Sequence, residues 1–112
     1  MKNKIIVLIP CFNCELTIKK SLNKLQHGNL KRISKILVID NNSNDKTLKE
    51  LLKVKKFKKF KNKILIQKNQ DNYGLGGSLK KGFIYSIQNN FKYILILHAD
   101  NQCDNNLVLK NF

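Results

Sequence analysis

Tyr93-Ile-Leu-Ile-Leu-His-Ala-Asp-Asn-Gln-Cys-Asp104 runs from an apolar segment straight into a loop bearing His98, Asp100, Gln102 and Asp104. The chain carries a formal charge of +15, so acid gathered at the end of such a segment stands apart from the rest. The same design recurs three times upstream. Lys4-Ile-Ile-Val-Leu-Ile-Pro10 is closed by the only proline and Ser34-Lys-Ile-Leu-Val-Ile-Asp40 by an aspartate, while Lys63-Ile-Leu-Ile-Gln67 leads into the glycine-rich Asn69-Gln-Asp-Asn-Tyr-Gly-Leu-Gly-Gly77. Unbroken apolar runs of this length predict strands buried on both faces, as in a parallel sheet.

Helical spacing fills the gaps between the runs. Leu16, Ile18, Leu22 and Leu25 predict a helix over about 15–26, stopped by Gly28. Leu48, Leu51 and Leu52 mark one face of a second. Leu75, Leu79, Phe83, Ile87 and Phe91 advance in steps of four, so a third helix is expected to bury that stripe. Four strands alternating with three helices predict an α/β fold, three-layered and Rossmann-like, with a mostly parallel sheet and right-handed crossovers. Ligands bind such sheets outside the carboxyl ends of the strands. Pro10, Asp40, the 69–77 loop and Asp100 all fall at those ends.

At 112 residues the chain is at most one domain, and 42% hydrophobic content is too high for a disordered one. No apolar run approaches the ~20 residues a membrane-spanning helix needs. The basic tip at Met1 precedes an apolar stretch that is short, ends in Pro10 and lacks a small-residue cleavage site, so a cytoplasmic location is expected. Of the 22 basic residues only Arg32 is an arginine. A reader of nucleic acid more often carries arginine forks, so no specific nucleic-acid partner is expected. The run Lys53-Val-Lys-Lys-Phe-Lys-Lys-Phe-Lys-Asn-Lys63 has two readings. It is either a solvated helix end with Val54 and Phe57 turned to the core, or a basic amphipathic piece that touches an anionic membrane surface.

Three cysteines, an odd count without a secretory signal, argue against a disulfide framework. Cys11 and Cys14 form C-x-x-C at a strand-to-helix junction, where a thioredoxin-like redox motif would also stand. Such folds set a second proline opposite the motif, and Pro10 is the only one here.

Four blocks, Ile9-Pro-Cys-Phe-Asn-Cys-Glu15, Val38-Ile-Asp-Asn-Asn-Ser-Asn-Asp-Lys-Thr47, Asn72-Tyr-Gly-Leu-Gly-Gly-Ser-Leu-Lys-Lys-Gly82 and His98-Ala-Asp-Asn-Gln102, span nearly the whole chain. In order and spacing they resemble the family 2 glycosyltransferases of GT-A fold, and most of all the branch that includes polyprenyl- and dolichyl-phosphate sugar transferases. The resemblance implies that residues 1–112 are the nucleotide-sugar-binding half of such a domain, with the acceptor-binding half lying beyond. It implies transfer of a sugar from a nucleoside-diphosphate sugar, with a polyprenyl phosphate among the acceptors and cell-envelope glycan synthesis at the inner membrane face as the setting.

The implied roles fall on numbered residues. Pro10, Phe12 and Glu15 would contact base and ribose: an aromatic face stacks on a base and a carboxylate accepts from a hydroxyl. Phe12 could equally be core. The family's adjacent acidic pair is Asp40-Asn41 here, and the amide at the second position changes what it offers a base. Asp45 and Thr47 read best as helix-capping residues. Asn72 and Gly76 belong to the family's glycine-containing entry to a helix, where phosphate binding is reasonable. The metal loop, frequently Asp-x-Asp, has His98 in place of the first aspartate and keeps Asp100 and Gln102. Asp100 is thus the expected ligand of Mg²⁺ or Mn²⁺, which take one or two protein carboxylates and complete their shell with phosphate and water.

Overall fold

The computed structural model describes residues 4–99. Strands β1 (Ile5–Cys11), β2 (Lys35–Asp40), β3 (Ile64–Lys68) and β4 (Tyr93–Ile96) form one sheet in the order β3-β2-β1-β4, and every pairing is parallel. β1 is therefore central, with β2 and β3 on one side and β4 on the other. The chain order reverses beside β1, and the crevice at such a reversal is where ligands of open α/β sheets sit.

Register explains why the apolar runs do not alternate. Val7 pairs with Ile36 and Ile9 with Val38 on one face, while Leu8 pairs with Leu37 and with Ile96 on the other. The first face is covered by α1 (Ile18–Asn23), α2 (His27–Arg32) and α3 (Thr47–Lys55), which bring Ile18, Leu22, Leu30, Leu51 and Val54 onto it. The second is covered by α4 (Gly74–Gln88), lying over Ile6, Leu8, Leu37 and Ile39. The three-layer α/β/α expectation holds.

Three helical expectations need correcting. The helix expected over 15–26 is only Ile18–Asn23, with Leu16 91% exposed ahead of it, and Gly28 lies inside α2 rather than ending α1, because Gln26 opens a fresh helix by a reciprocal capping box with Asn29. In α3, Leu51 is buried but Leu52 is half exposed. In α4 the step-of-four apolar stripe is not the buried one. Ser78, Gly82 and Ser86 face the sheet, whereas Leu75, Phe83 and Ile87 are exposed.

The lysine run also takes definite form. α3 ends at Lys55, and a 3-10 turn, Lys58–Phe60, drops Phe60 fully into the core beside Val54. Phe57 packs half-buried against the same cluster. Phe60 is therefore spent inside the protein and Phe57 partly so, and the exposed residues of the run are lysines from Lys53 onward, with Asn62 near the far end.

Candidate functional site

Loops at the carboxyl ends of β1, β2 and β4, with the start of α4, enclose a cleft of about 520 Å³. That volume suits a small organic ligand of nucleoside size. Pro10, Cys11, Phe12 and Cys14 line it from the β1 end, Asn41 from β2, Asn72, Gly74, Leu75 and Ser78 from the α4 entry, and His98 and Ala99 from beyond β4. Of the residues expected at the site, Pro10, Phe12, Asn41, Asn72 and His98 are thus brought together. Phe12 is 41% exposed, so it is a face at the cleft and not core. Glu15, Asp40 and Gly76 lie outside the lining. Asp100 and Gln102 fall outside the described residues.

The β1 loop is held by sewing it to the β2 loop. Asn13, at φ 51° in the left-handed region that asparagine tolerates, donates its N–H to Ser43 Oγ at 2.9 Å and accepts from Asn44 N–H through Oδ1 at 2.8 Å. Cys14 N–H donates to Thr47 Oγ1 at 2.8 Å, and Glu15 N–H to Asp45 Oδ2 at 3.3 Å. Asp45 Oδ1 in turn accepts from the Thr47 N–H at 2.9 Å and from its hydroxyl at 2.5 Å. Asp45 and Thr47 are therefore structural at the entry of α3, joining two loops. Burial tends to raise the Asp45 carboxyl, but the hydrogen bonds from Thr47 and from Glu15 N–H outweigh it and hold it below the usual carboxylate range.

Asp40 is fully buried; its Oδ1 accepts from the N–H and hydroxyl of Ser43, while its Oδ2 has no hydrogen-bond partner among the described residues. Asn41 is tied into a second network. Its Oδ1 accepts from Asn69 Nδ2 at 2.9 Å and from Tyr73 N–H at 2.8 Å, and its Nδ2 donates to Asn72 Oδ1 at 2.7 Å. Asn72 Oδ1 also accepts from Gly74 N–H at 2.8 Å. Gly74 has φ +75°, and a Cβ on Gly77 would meet Tyr73 Cβ at 2.6 Å. Those two glycines are what the tight entry to α4 requires.

Beyond β4, the Ala99 carbonyl accepts from Thr17 Oγ1 at 2.6 Å and from Ser21 Oγ at 3.1 Å. Two hydroxyls from the α1 region thereby fix the backbone that leads into Asp100. Sequence reasoning missed Thr17, Ser21 and Asn69. Their signal is polar residues placed where a helix or strand end turns inward, which takes the topology to see.

Cys11 and Cys14 are both buried thiols. Burial, followed by the nearby negative charge of Asp40, pushes the Cys11 thiol far above its usual range. A redox C-x-x-C needs the opposite, a stabilised and accessible thiolate. The thioredoxin-like reading finds no support in this environment. Among the described residues, no three His, Cys, Asp or Glu side chains gather as a metal site.

Solved structures share this architecture. The mannosyltransferase PcManGT from Pyrobaculum calidifontis, in complex with GDP-Man and Mn²⁺, superposes with a TM-score of 0.70 over 89% of the chain at 15% identity. S. aureus TarS residues 1–349, in complex with UDP, gives 0.69 over 87% at 24% identity, and TarS 1–349 without it 0.69 over 96% at 22%. The chain spans 28%, 27% and 31% of those three chains, so each neighbour has more than twice as much polypeptide again. No curated protein sequence matches it. The model of glycosyl transferase family 2 matches residues 6–111, which is the sheet, its helices and all four motif blocks, and the chain belongs to that family.

Proposed function

We propose that residues 1–112 are the nucleotide-sugar-binding part of an enzyme that transfers a sugar from a nucleoside diphosphate to an acceptor. The observation that carries this is the cleft at the sheet's reversal point, where Pro10, Phe12, Asn41, Asn72 and His98 converge from four separate sequence blocks. Neighbours of the same fold bind GDP-mannose with Mn²⁺ and UDP, which supports a nucleotide in this cleft and a divalent ion beside it.

In this reading Phe12 offers its ring to the base, and the carboxylate of Asp100 holds Mg²⁺ or Mn²⁺. A hard oxygen donor suits either ion. The chain fits the group to this extent: the Ala99 carbonyl is anchored by Thr17 and Ser21, so the residue before Asp100 is positioned at the cleft wall. When bound, the ion would neutralise the leaving diphosphate. Pro10 shapes the strand end, while Gln102 and Glu15 are further candidates for polar contact with the nucleotide.

A polyprenyl phosphate is the acceptor we propose, because its oxygen is already ionised and asks for no general base. The setting would then be the cytoplasmic face of a membrane, in the synthesis of envelope glycans. Among the described residues no helix is long and apolar enough to cross a membrane. Contact would be peripheral, through the lysines that α1, α3 and the 3-10 turn expose on one layer. Lys59 Nζ reaches the Asn23 carbonyl at 3.3 Å and Lys19 Nζ lies 5.6 Å from the Phe57 ring, so those elements share one basic surface.

Titration of UDP, GDP and their sugar conjugates into the folded chain, with and without Mn²⁺, tests the reading. Metal-dependent binding that Asp100→Ala weakens at least about tenfold is expected. Absence of nucleotide binding, or binding indifferent to Asp100→Ala, overturns it.

A further inference from the structure

Asn41 lies at 6% exposure in the wall of the cleft, at the position where the family resemblance would set a base-reading acid. A side-chain amide has one carbonyl oxygen, with two acceptor sites, and two N–H donors. Both acceptor sites of Asn41 are used inside the protein, by Asn69 Nδ2 and by the Tyr73 N–H. One donor is used by Asn72 Oδ1. The N–H of a pyrimidine or guanine ring needs an acceptor, and Asn41 has none left to give.

The orientation of these amides is not arbitrary. Two backbone donors fix it, because a backbone N–H can only donate. Tyr73 N–H points at Asn41 and so demands its oxygen there, which turns the Asn41 Nδ2 toward Asn72. Gly74 N–H points at Asn72 and demands that residue's oxygen. The Asn72 oxygen can then meet only a donor, and the Asn41 amide supplies one. At the far end Asn69, fully buried, uses Nδ2 on both Asn41 and Ser78 Oγ at 3.1 Å, and its Oδ1 accepts from Lys81 Nζ at 2.9 Å. β2, the segment after β3, the glycine turn and α4 are therefore joined through two side chains, Asn41 and Asn69.

We infer that Asn41 is a positioning residue that clamps the 72–74 turn onto the cleft wall, and that it does not read the base. This rests on the nucleotide-binding reading of the cleft and sharpens it: base identity must be set elsewhere, and the glycine turn keeps its shape only while position 41 carries both an acceptor and a donor. An aspartate has only acceptors when ionised. Asn41→Asp would press a carboxylate oxygen against Asn72 Oδ1, and turning Asn72 over would set its amide against the Gly74 N–H. At position 72 the requirement is different, since both partners there are donors, so a carboxylate satisfies them.

The test compares Asn41→Asp, Asn72→Asp and the parent chain by amide hydrogen exchange at Tyr73 and Gly74, together with UDP and GDP titration in Mn²⁺. Asn41→Asp should speed exchange at both amides by about fivefold or more, the usual scale for one hydrogen bond lost. Asn72→Asp should leave them within about twofold of the parent. UDP and GDP affinity should fall together in Asn41→Asp with their ratio unchanged. On acidification, exchange relative to the parent should recover in Asn41→Asp alone, because the protonated carboxyl regains a donor for Asn72. Asp40 beside it on β2, Asp71 in the loop, Lys81 on α4 and His98 across the cleft are present in both chains, so the comparison with the parent removes their titration. Unchanged exchange in Asn41→Asp, or lost protection in Asn72→Asp, overturns the clamp even where the first variant does not fold. A UDP-to-GDP ratio that shifts about tenfold overturns the positioning role in favour of base reading. If the parent binds no nucleotide, the functional reading of the cleft fails, while the exchange data still decide the clamp.

Discussion

A Cβ added to Gly82 would lie 2.7 Å from Leu8 Cδ1, so α4 rests on the central strand too closely for a side chain there unless Leu8 shifts. Ile39 Cδ1 at 3.1 Å and Leu8 Cδ2 at 3.3 Å close the other directions, and both Leu8 and Ile39 are fully buried. Gly82→Ala should therefore destabilise the fold. Overpacking a filled core costs roughly 1–3 kcal/mol, against about 1 kcal/mol that alanine returns through helix propensity. A net loss of about 1 kcal/mol is expected in urea unfolding, and it should shrink when Leu8→Ala makes room in the same chain. A stabilised Gly82→Ala chain would show that α4 can lift off the sheet without cost.

The same packing explains why one part of the fold could be read from the sequence and another could not. β1 and β2 are buried on both faces by their neighbours, so Ile6 to Ile9 and Ile36 to Ile39 announce themselves as unbroken apolar runs. α4 is chosen for closeness, and its contact residues Ser78, Gly82 and Ser86 carry almost no apolar signal, while the louder Leu75, Phe83 and Ile87 point away. The site divides likewise. Pro10, Phe12 and His98 stand at strand ends and could be placed by pattern. The roles of Asn69, Thr17 and Ser21 arise from contacts between elements, such as Thr17 with Ala99, 82 positions apart.

Substitutions on the two stripes of α4 should consequently have opposite weights. Ile87 is 72% exposed, so Ile87→Gln should change stability by no more than about 0.5 kcal/mol. Ser86 is fully buried and donates its hydroxyl to the Gly82 carbonyl at 2.7 Å. Ser86→Leu should cost about 1–3 kcal/mol by overpacking. Thermal or urea unfolding of the pair checks this, and equal effects would mean that α4 is rotated from the arrangement described.

Burial of the Cys11 thiol, reinforced by Asp40, predicts both inertness and a pH dependence. An unfolded cysteine loses its proton near pH ~8.5, whereas the folded thiol holds on to it well above that value. Folding thus favours the protonated form. The contribution is complete below the unfolded pKa and is lost as pH rises above it, with a slope of at most roughly 1.4 kcal/mol per pH unit for this one group. Replacing the thiol by Cys11→Val should flatten the fall in stability above pH ~8.5, and in the native parent Cys11 should react with a thiol reagent only as fast as the chain opens. Rapid labelling of Cys11 at neutral pH would reverse this picture and revive a redox role.

The lysines of α1, α3 and the 3-10 turn provide the last expectation, because their charge is concentrated while their aromatic neighbours are buried. Lys20, Lys56 and Lys58 are exposed, whereas Phe60 is fully buried and Phe57 half-buried. With both phenylalanines of the run turned inward, these lysines attract a membrane electrostatically, at about 1 kcal/mol each near an anionic surface and screened by salt. The chain should bind vesicles containing phosphatidylglycerol, ignore pure phosphatidylcholine and release at roughly 0.5 M salt, where the Debye length falls to about 4 Å. Combined Lys20→Glu, Lys56→Glu and Lys58→Glu should lower vesicle affinity by about 100-fold or more, since three contributions of that size are removed and reversed. UDP or GDP affinity should stay within about twofold, because none of the three lines the cleft. Cosedimentation that persists in the triple variant would place membrane contact on some other surface.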